Sequence, residues 1–200
     1  NKETGVVTTV LANNGKIILD DPDEVTSKTV TKVWDDSNNQ DGIRPDSIEV
    51  ELLANGKETG NKVNLSEENN WTYEFTNLPK YTDNKEINYT VKEITKVDGY
   101  TTTYSDDGLT ITNTHEVEKT TRSVTKVWKD NNNQDGLRPD SITVALSKDG
   151  VRTGDTAILN ESNDWSYTFT NLDKFSNGKE INYTIDEVNV PEGYSKNVTI

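Results

Sequence analysis

Residues 29–48, TVTKVWDDSNNQDGIRPDSI, return almost unchanged at 123–142 as SVTKVWKDNNNQDGLRPDSI. The correspondence holds at a constant offset of 94 residues, without a gap, from about Val30/Val124 to Tyr100/Tyr194, and more than half of these positions are identical. NNWTYEFTNLPKY (69–81) answers to NDWSYTFTNLDKF (163–175), and KEINYTVKE (85–93) to KEINYTIDE (179–187). A repeat of this length and regularity requires one fold built twice. The expected division is an N-terminal extension over 1–26, a first domain over 27–117 and a second over 118–200.

Within each copy the apolar residues recur with period two. Ile48, Val50 and Leu52 alternate with polar residues, as do Trp71, Tyr73 and Phe75, then Ile87, Tyr89 and Val91. Alternation of this kind marks half-buried strands, and the pieces between them (NNQDG, ANGKETG, SDDG) are turn-forming. No stretch sustains a helical period. Each copy therefore reads as an all-β sandwich or partly open barrel of about seven strands. The segment THEVEKTTR (114–122) is polar, lacks glycine and proline, and is expected to run extended between the copies, giving a rod.

Composition narrows the function classes. Only 30% of residues are hydrophobic and the net charge is -14, yet four tryptophans, eight tyrosines and the regular alternation favour folded, heavily solvated domains over disorder. Such acidity argues against nucleic acid or an anionic membrane surface as partner. No cysteine is present, so no disulfide braces these small domains. The apolar runs are too short for a membrane span or a signal peptide. The chain opens without methionine and reads as a fragment of something longer.

The ends do not match. Copy one closes with a hairpin-like stretch, GYTTTYSDDGLTITNT, whereas copy two stops at Ile200 before completing one. Residues 5–20, GVVTTVLANNGKIILD, resemble such a hairpin, and Asp20 stands five residues after Gly15 as Asn113 stands five after Gly108. Two readings stay open: a remnant of a preceding similar domain, or a strand pair docked elsewhere, including into copy two of a neighbouring chain.

Polar residues on apolar strand faces are the features most in need of a reason. Side chains at i and i±2 share a face. Lys32 lies between Val30 and Trp34, Glu93 follows Tyr89 and Val91, and Asn113 follows Leu109 and Ile111. Each would be costly to bury alone. Copy two repeats the first two members, with Lys126 between Val124 and Trp128 and Glu187 after Tyr183 and Ile185.

In this order VTKVW, RPDSI, NLPKY, YTVKE, GY and ITNT resemble the B-type repeat domains of the collagen adhesin, the Cna B-type domains of Gram-positive surface proteins and pili. The resemblance covers 28–115 and then 122 to the end of the sequence. It implies an immunoglobulin-like β-sandwich in each copy and a spontaneous isopeptide bond between a first-strand lysine and a last-strand asparagine, promoted by a buried acid. By motif these roles fall on Lys32, Asn113 and Glu93. In copy two Lys126 and Glu187 carry over, and the matching asparagine position lies past Ile200. An apolar core disfavours charge, which suits a neutral, nucleophilic amine beside a protonated acid. Folding supplies an effective molarity on the order of 10⁵ M or more.

The resemblance further implies a stalk or spacer role at the cell wall of a Gram-positive bacterium, with neighbouring repeat domains as partners and host matrix engaged through other domains. A host-ligand-binding module is the alternative. An enzyme is not expected, since no pocket-like constellation remains once these residues are assigned. Lys28 has the parity of Lys32, but its counterpart is Arg122, which cannot serve as this nucleophile. The loop DSNNQDG (36–42) has oxygen-bearing side chains spaced as in a calcium loop, but position 47 is serine where a bidentate glutamate is needed, so a turn is expected. His115 is the single histidine, which excludes histidine metal clusters and Ser-His-Asp triads. No cofactor or metal motif is read. Trp34, Trp71, Trp128 and Trp165 alternate with apolar residues and read as core rather than as a carbohydrate platform.

Overall fold

A computed structural model describes residues 11–13, 16–18 and 24–198. Two short strands come first, β1 (Leu11–Asn13) and β2 (Lys16–Ile18). They pair antiparallel in the register Leu11↔Ile18, Ala12↔Ile17 and Asn13↔Lys16. The hairpin expected within 5–20 thus has these two strands. Asp20 lies outside the described residues.

The first copy contains β3 (Val25–Asp35), β4 (Ser47–Ala54), β5 (Lys57–Ser66), β6 (Thr72–Pro79), β7 (Tyr81–Thr82), β8 (Lys85–Glu86), β9 (Tyr89–Glu93), β10 (Thr101–Tyr104) and β11 (Thr110–Thr114). Seven of these form two sheets, ordered β10-β11-β3-β6 and β5-β4-β9, while β7 and β8 make a separate two-residue ladder. Val30, Phe75, Leu78 and Ile111 from the four-stranded sheet meet Ile48, Val50, Leu52, Leu65, Tyr89 and Val91 from the three-stranded one in a single core. Two sheets closing on one apolar layer make a sandwich.

The second copy contains β12 (Lys119–Thr125), β13 (Ser141–Lys148), β14 (Val151–Asn160), β15 (Ser166–Asp173), β16 (Phe175–Ser176), β17 (Lys179–Glu180) and β18 (Tyr183–Glu187). Here β12 pairs with β15, and β14-β13-β18 form the second sheet. The core is Ile142, Val144, Leu146, Ala157, Leu159, Phe169, Ile181 and Tyr183. Asn1–Trp34 with Pro45–Asn113 form one compact unit, and Asp35–Arg44 with Thr114–Ile200 form another.

Local chemistry explains the repeated irregularities. Asn55 and Gly56 both have positive φ (49° and 76°), as do Asp149 and Gly150 (49° and 81°). Two successive left-handed residues are what a tight hairpin turn requires. The Asn55 side chain accepts the Asn88 N–H, and Asp149 does the same for Asn182, so amide and carboxylate are interchangeable there. A bulge between Glu51 and Leu53 recurs between Ala145 and Ser147. Glu51, expected to face outward, is buried, and its carboxylate accepts the Gly60 N–H at 3.0 Å.

Trp71 departs from the alternation reading. It precedes β6 in the left-handed region (φ 57°), directly after the short 3-10 turn Glu67–Asn69 and the left-handed Asn70. Trp165 repeats this at φ 53°. A bulky residue rarely adopts this backbone. It turns the Trp71 carbonyl toward β3, where it accepts the Lys32 N–H at 2.8 Å, and Trp165 does the same for Lys126 at 2.8 Å. Tyr73, placed by alternation on the half-buried face, is 43% exposed and lies edge-on to Phe75.

Candidate functional site

The order β10-β11-β3-β6 puts the first long strand beside the last. The Thr31 N–H donates to the Leu109 carbonyl at 3.0 Å, and the His115 N–H donates to the Asp35 carbonyl at 2.9 Å. Both partners advance together, so β3 and β11 run parallel. Side chains at corresponding depths in these strands therefore face the same core.

Lys32, Glu93 and Asn113 meet in that core. The Lys32 side chain is fully buried and that of Glu93 is 4% exposed, while Asn113 is 0% exposed. Lys32 Nζ lies 3.4 Å from Glu93 Oε2, and Asn113 Nδ2 donates to Glu93 Oε1 at 3.0 Å. One carboxylate thus touches the amine through one oxygen and the amide through the other. Among the described residues, Asn113 Oδ1 has no hydrogen-bond partner. Glu93 is fixed by its strand: β9 pairs with β4 at Val50↔Glu93, and the Glu93 N–H donates to the Tyr104 hydroxyl at 3.1 Å.

Aromatic rings wall the site. Lys32 Nζ stands 4.3 Å from the centroid of the Trp34 ring, within the range of a cation–π contact. Trp34 in turn packs edge-on against Trp71 and Tyr100, each at 5.2 Å between centroids. The tryptophans are half-buried against the core, as alternation implied for Trp34. Lys28 is half-buried near the start of β3, opposite Phe75 and beside a bulge.

Copy two brings Lys126 and Glu187 together in the same way. Lys126 Nζ is 2.9 Å from Glu187 Oε2 and 4.4 Å from the Trp128 ring centroid. Trp128 stacks edge-on with Trp165 and Tyr194. The Lys126 side chain is 17% exposed, against none for Lys32.

Sequence reasoning missed the charge that organises the loop after β3. Asp36, 2% exposed, receives Arg44 Nε at 2.9 Å and Nη2 at 2.5 Å, and its Oδ1 also accepts the Asn39 N–H. Ser37, Asn38 and Asn39 all have positive φ, a wrapped backbone closed around that carboxylate. Asp130 and Arg138 repeat the fork at 2.9 and 2.6 Å. The Arg138 fork, helped by the Asn133 N–H and the Tyr194 hydroxyl, holds the Asp130 carboxyl well below the usual carboxylate range. The signal was present as an aspartate followed eight residues later by an arginine in both copies. The loop's first carboxylate, Asp36, binds a guanidinium.

The Cna protein B-type domain matches residues 28–114 and 122–200. A collagen adhesin of Staphylococcus aureus is 48% identical over 197 residues, which is 98% of this chain but 16% of that protein. Among solved structures, a single B repeat unit (B1) of the collagen binding surface protein of S. aureus is 49% identical, covering 88% of this chain and 92% of that one, with TM-score 0.43. Two B repeat units (B1B2) of the same protein are 46% identical, covering 100% of this chain and 53% of that one, with TM-score 0.49. Two domain matches in register with the internal repeat place this chain in the Cna B-type domain family, of which it carries two tandem members.

Proposed function

We propose that the chain is a structural spacer of a wall-anchored bacterial surface adhesin or pilus protein, stiffened by a self-formed Lys32–Asn113 isopeptide bond. The observation that carries this reading is the Glu93 carboxylate bridging a buried amine and a buried amide. A proton passes from the Lys32 ammonium to Glu93 Oε2, freeing the amine. Nζ attacks Cγ of Asn113, and Glu93 relays the surplus amine proton to Nδ2. The Cγ–Nδ2 bond then breaks, ammonia leaves, and an amide joins the two side chains. Folding provides the proximity that makes an unactivated amide reactive. The step occurs once per molecule and is maturation, not turnover.

A bond between parallel first and last strands carries tension from one strand to the other without loading the strands between. Neighbouring repeats are the natural partners, and an extracellular, wall-attached setting suits a fold braced without cysteine. Lys126 and Glu187 hold the same relation and are assigned the same roles in copy two.

Intact mass tests the reading. The wild-type chain is expected to fall one ammonia short of its sequence mass, with Lys32 and Asn113 found in one cross-linked peptide. Glu93→Ala is expected to restore the full mass, and an unmodified wild type defeats the assignment. The alternative, a module that itself holds host matrix, is motivated by the collagen adhesin relative. Saturable binding of this chain to immobilised collagen would favour it.

A further inference from the structure

Just past Asn113 a single buried carboxylate gathers the exits of both cross-linked strands. β3 ends at Asp35 and continues into the loop 36–42, and β11 ends at Thr114 and continues into 115–118. Asp41 sits in that loop with its side chain 3% exposed. Its Oδ2 lies 2.9 Å from His115 Nε2 and accepts the Glu118 N–H at 2.7 Å. The His115 backbone N–H meanwhile donates to the Asp35 carbonyl. Asp35, Asp41, His115 and Glu118 all belong to one compact unit.

We infer that Asp41, acting through His115, is a positioning residue for the Lys32–Asn113 bond; the inference rests on the bond proposed above. Asn113 is the next-to-last residue of its strand, where fraying is expected. Fastening the residue two places further on to the end of β3 keeps the amide at the depth of Lys32. A displacement of about 1 Å can slow a positioned reaction by up to about a hundredfold. Neutral imidazole donates Nε2–H to the carboxylate, and protonated imidazole adds opposite charge to the same contact. Glu118, whose N–H Asp41 accepts, is matched by Lys174 at 2.7 Å, and the loop of Asp41 also carries Asp35 and the Asp36–Arg44 fork. The clamp is thus expected to tighten as His115 gains its proton.

The test follows bond formation in newly made full-length chain, by cell-free synthesis quenched at intervals and read as loss of one ammonia. Asp41→Asn and His115→Ala are each expected to slow conversion roughly tenfold. The double variant should be no slower than either single one, since both remove one contact. His115→Gln, which keeps an N–H donor, should recover most of the rate. The wild-type rate should show a step where the lone imidazole titrates by NMR, and His115→Gln should lack it. Equal rates for wild type, Asp41→Asn and His115→Ala, each shown folded by tryptophan fluorescence, overturn the inference while leaving the bond intact. If His115→Ala does not fold, the near-isosteric Asp41→Asn decides alone. A wild type that never loses ammonia overturns the bond and the clamp together.

Discussion

Asp130 holds one arginine, one backbone N–H and one tyrosine hydroxyl on two oxygens, and this fixes how acid acts on the second copy. Its folded pKa is depressed, chiefly by the Arg138 fork. A depressed carboxylate contributes stability that is fully present above its unfolded value, about 3.9, and lost as pH falls toward the folded one. Thermal midpoints measured from pH 6 down to pH 2 should therefore fall below about pH 4. Arg138→Gln should be less stable at neutral pH and should show a shallower acid slope for the transition that moves the Trp128 emission. A slope unchanged by the substitution would mean the fork is not the source. This pair was legible in the repeat as aspartate and arginine at fixed spacing, but spacing alone does not tell a fork from two solvated charges.

At the scale of elements, the turn between β10 and β11 decides whether Asn113 arrives at all. Gly108 has φ 67°, donates its N–H to the Ser105 carbonyl at 2.8 Å and accepts the Val91 N–H at 2.9 Å. A Cβ there would stand 2.6 Å from Thr90 Cγ2. Gly108→Ala combines a disfavoured backbone with that overlap and should cost roughly 1–3 kcal/mol in urea unfolding. It should also lower the fraction of chain that loses ammonia, because β11 seats less well. The strands of this hairpin were legible as alternation around SDDG. Trp71 was not: it looks like a strand residue in the sequence, and only the left-handed pair Asn70–Trp71 takes it out of the ladder.

For the whole molecule, two compact units predict two unfolding transitions in calorimetry. The proposed bond closes a loop of 81 residues (113 − 32). By analogy with disulfide loop closure that constraint is worth about 4 kcal/mol. Lys32→Ala should then lower one transition on the order of 20 °C and leave the other nearly in place. The same variant should be cut faster by protease within the first copy. Both transitions unmoved would mean that no covalent tie supports that unit.

The sequence by itself determined the repeat, the all-β class, many of the strand faces and the placing of Lys32, Glu93, Asn113, Lys126 and Glu187 on apolar faces, because period-two burial is a local property of neighbouring residues. What it left open was every relation that depends on distant segments meeting. Only the tertiary structure places β3 beside β11 and gives Glu93 one oxygen for the amine and one for the amide. Asp36 and Asp41 lie five residues apart in one polar loop, yet one is bound by Arg44 and the other by His115 and the Glu118 N–H. A carboxylate's role follows from the donors that surround it after folding, and those donors come from residues up to 77 positions away.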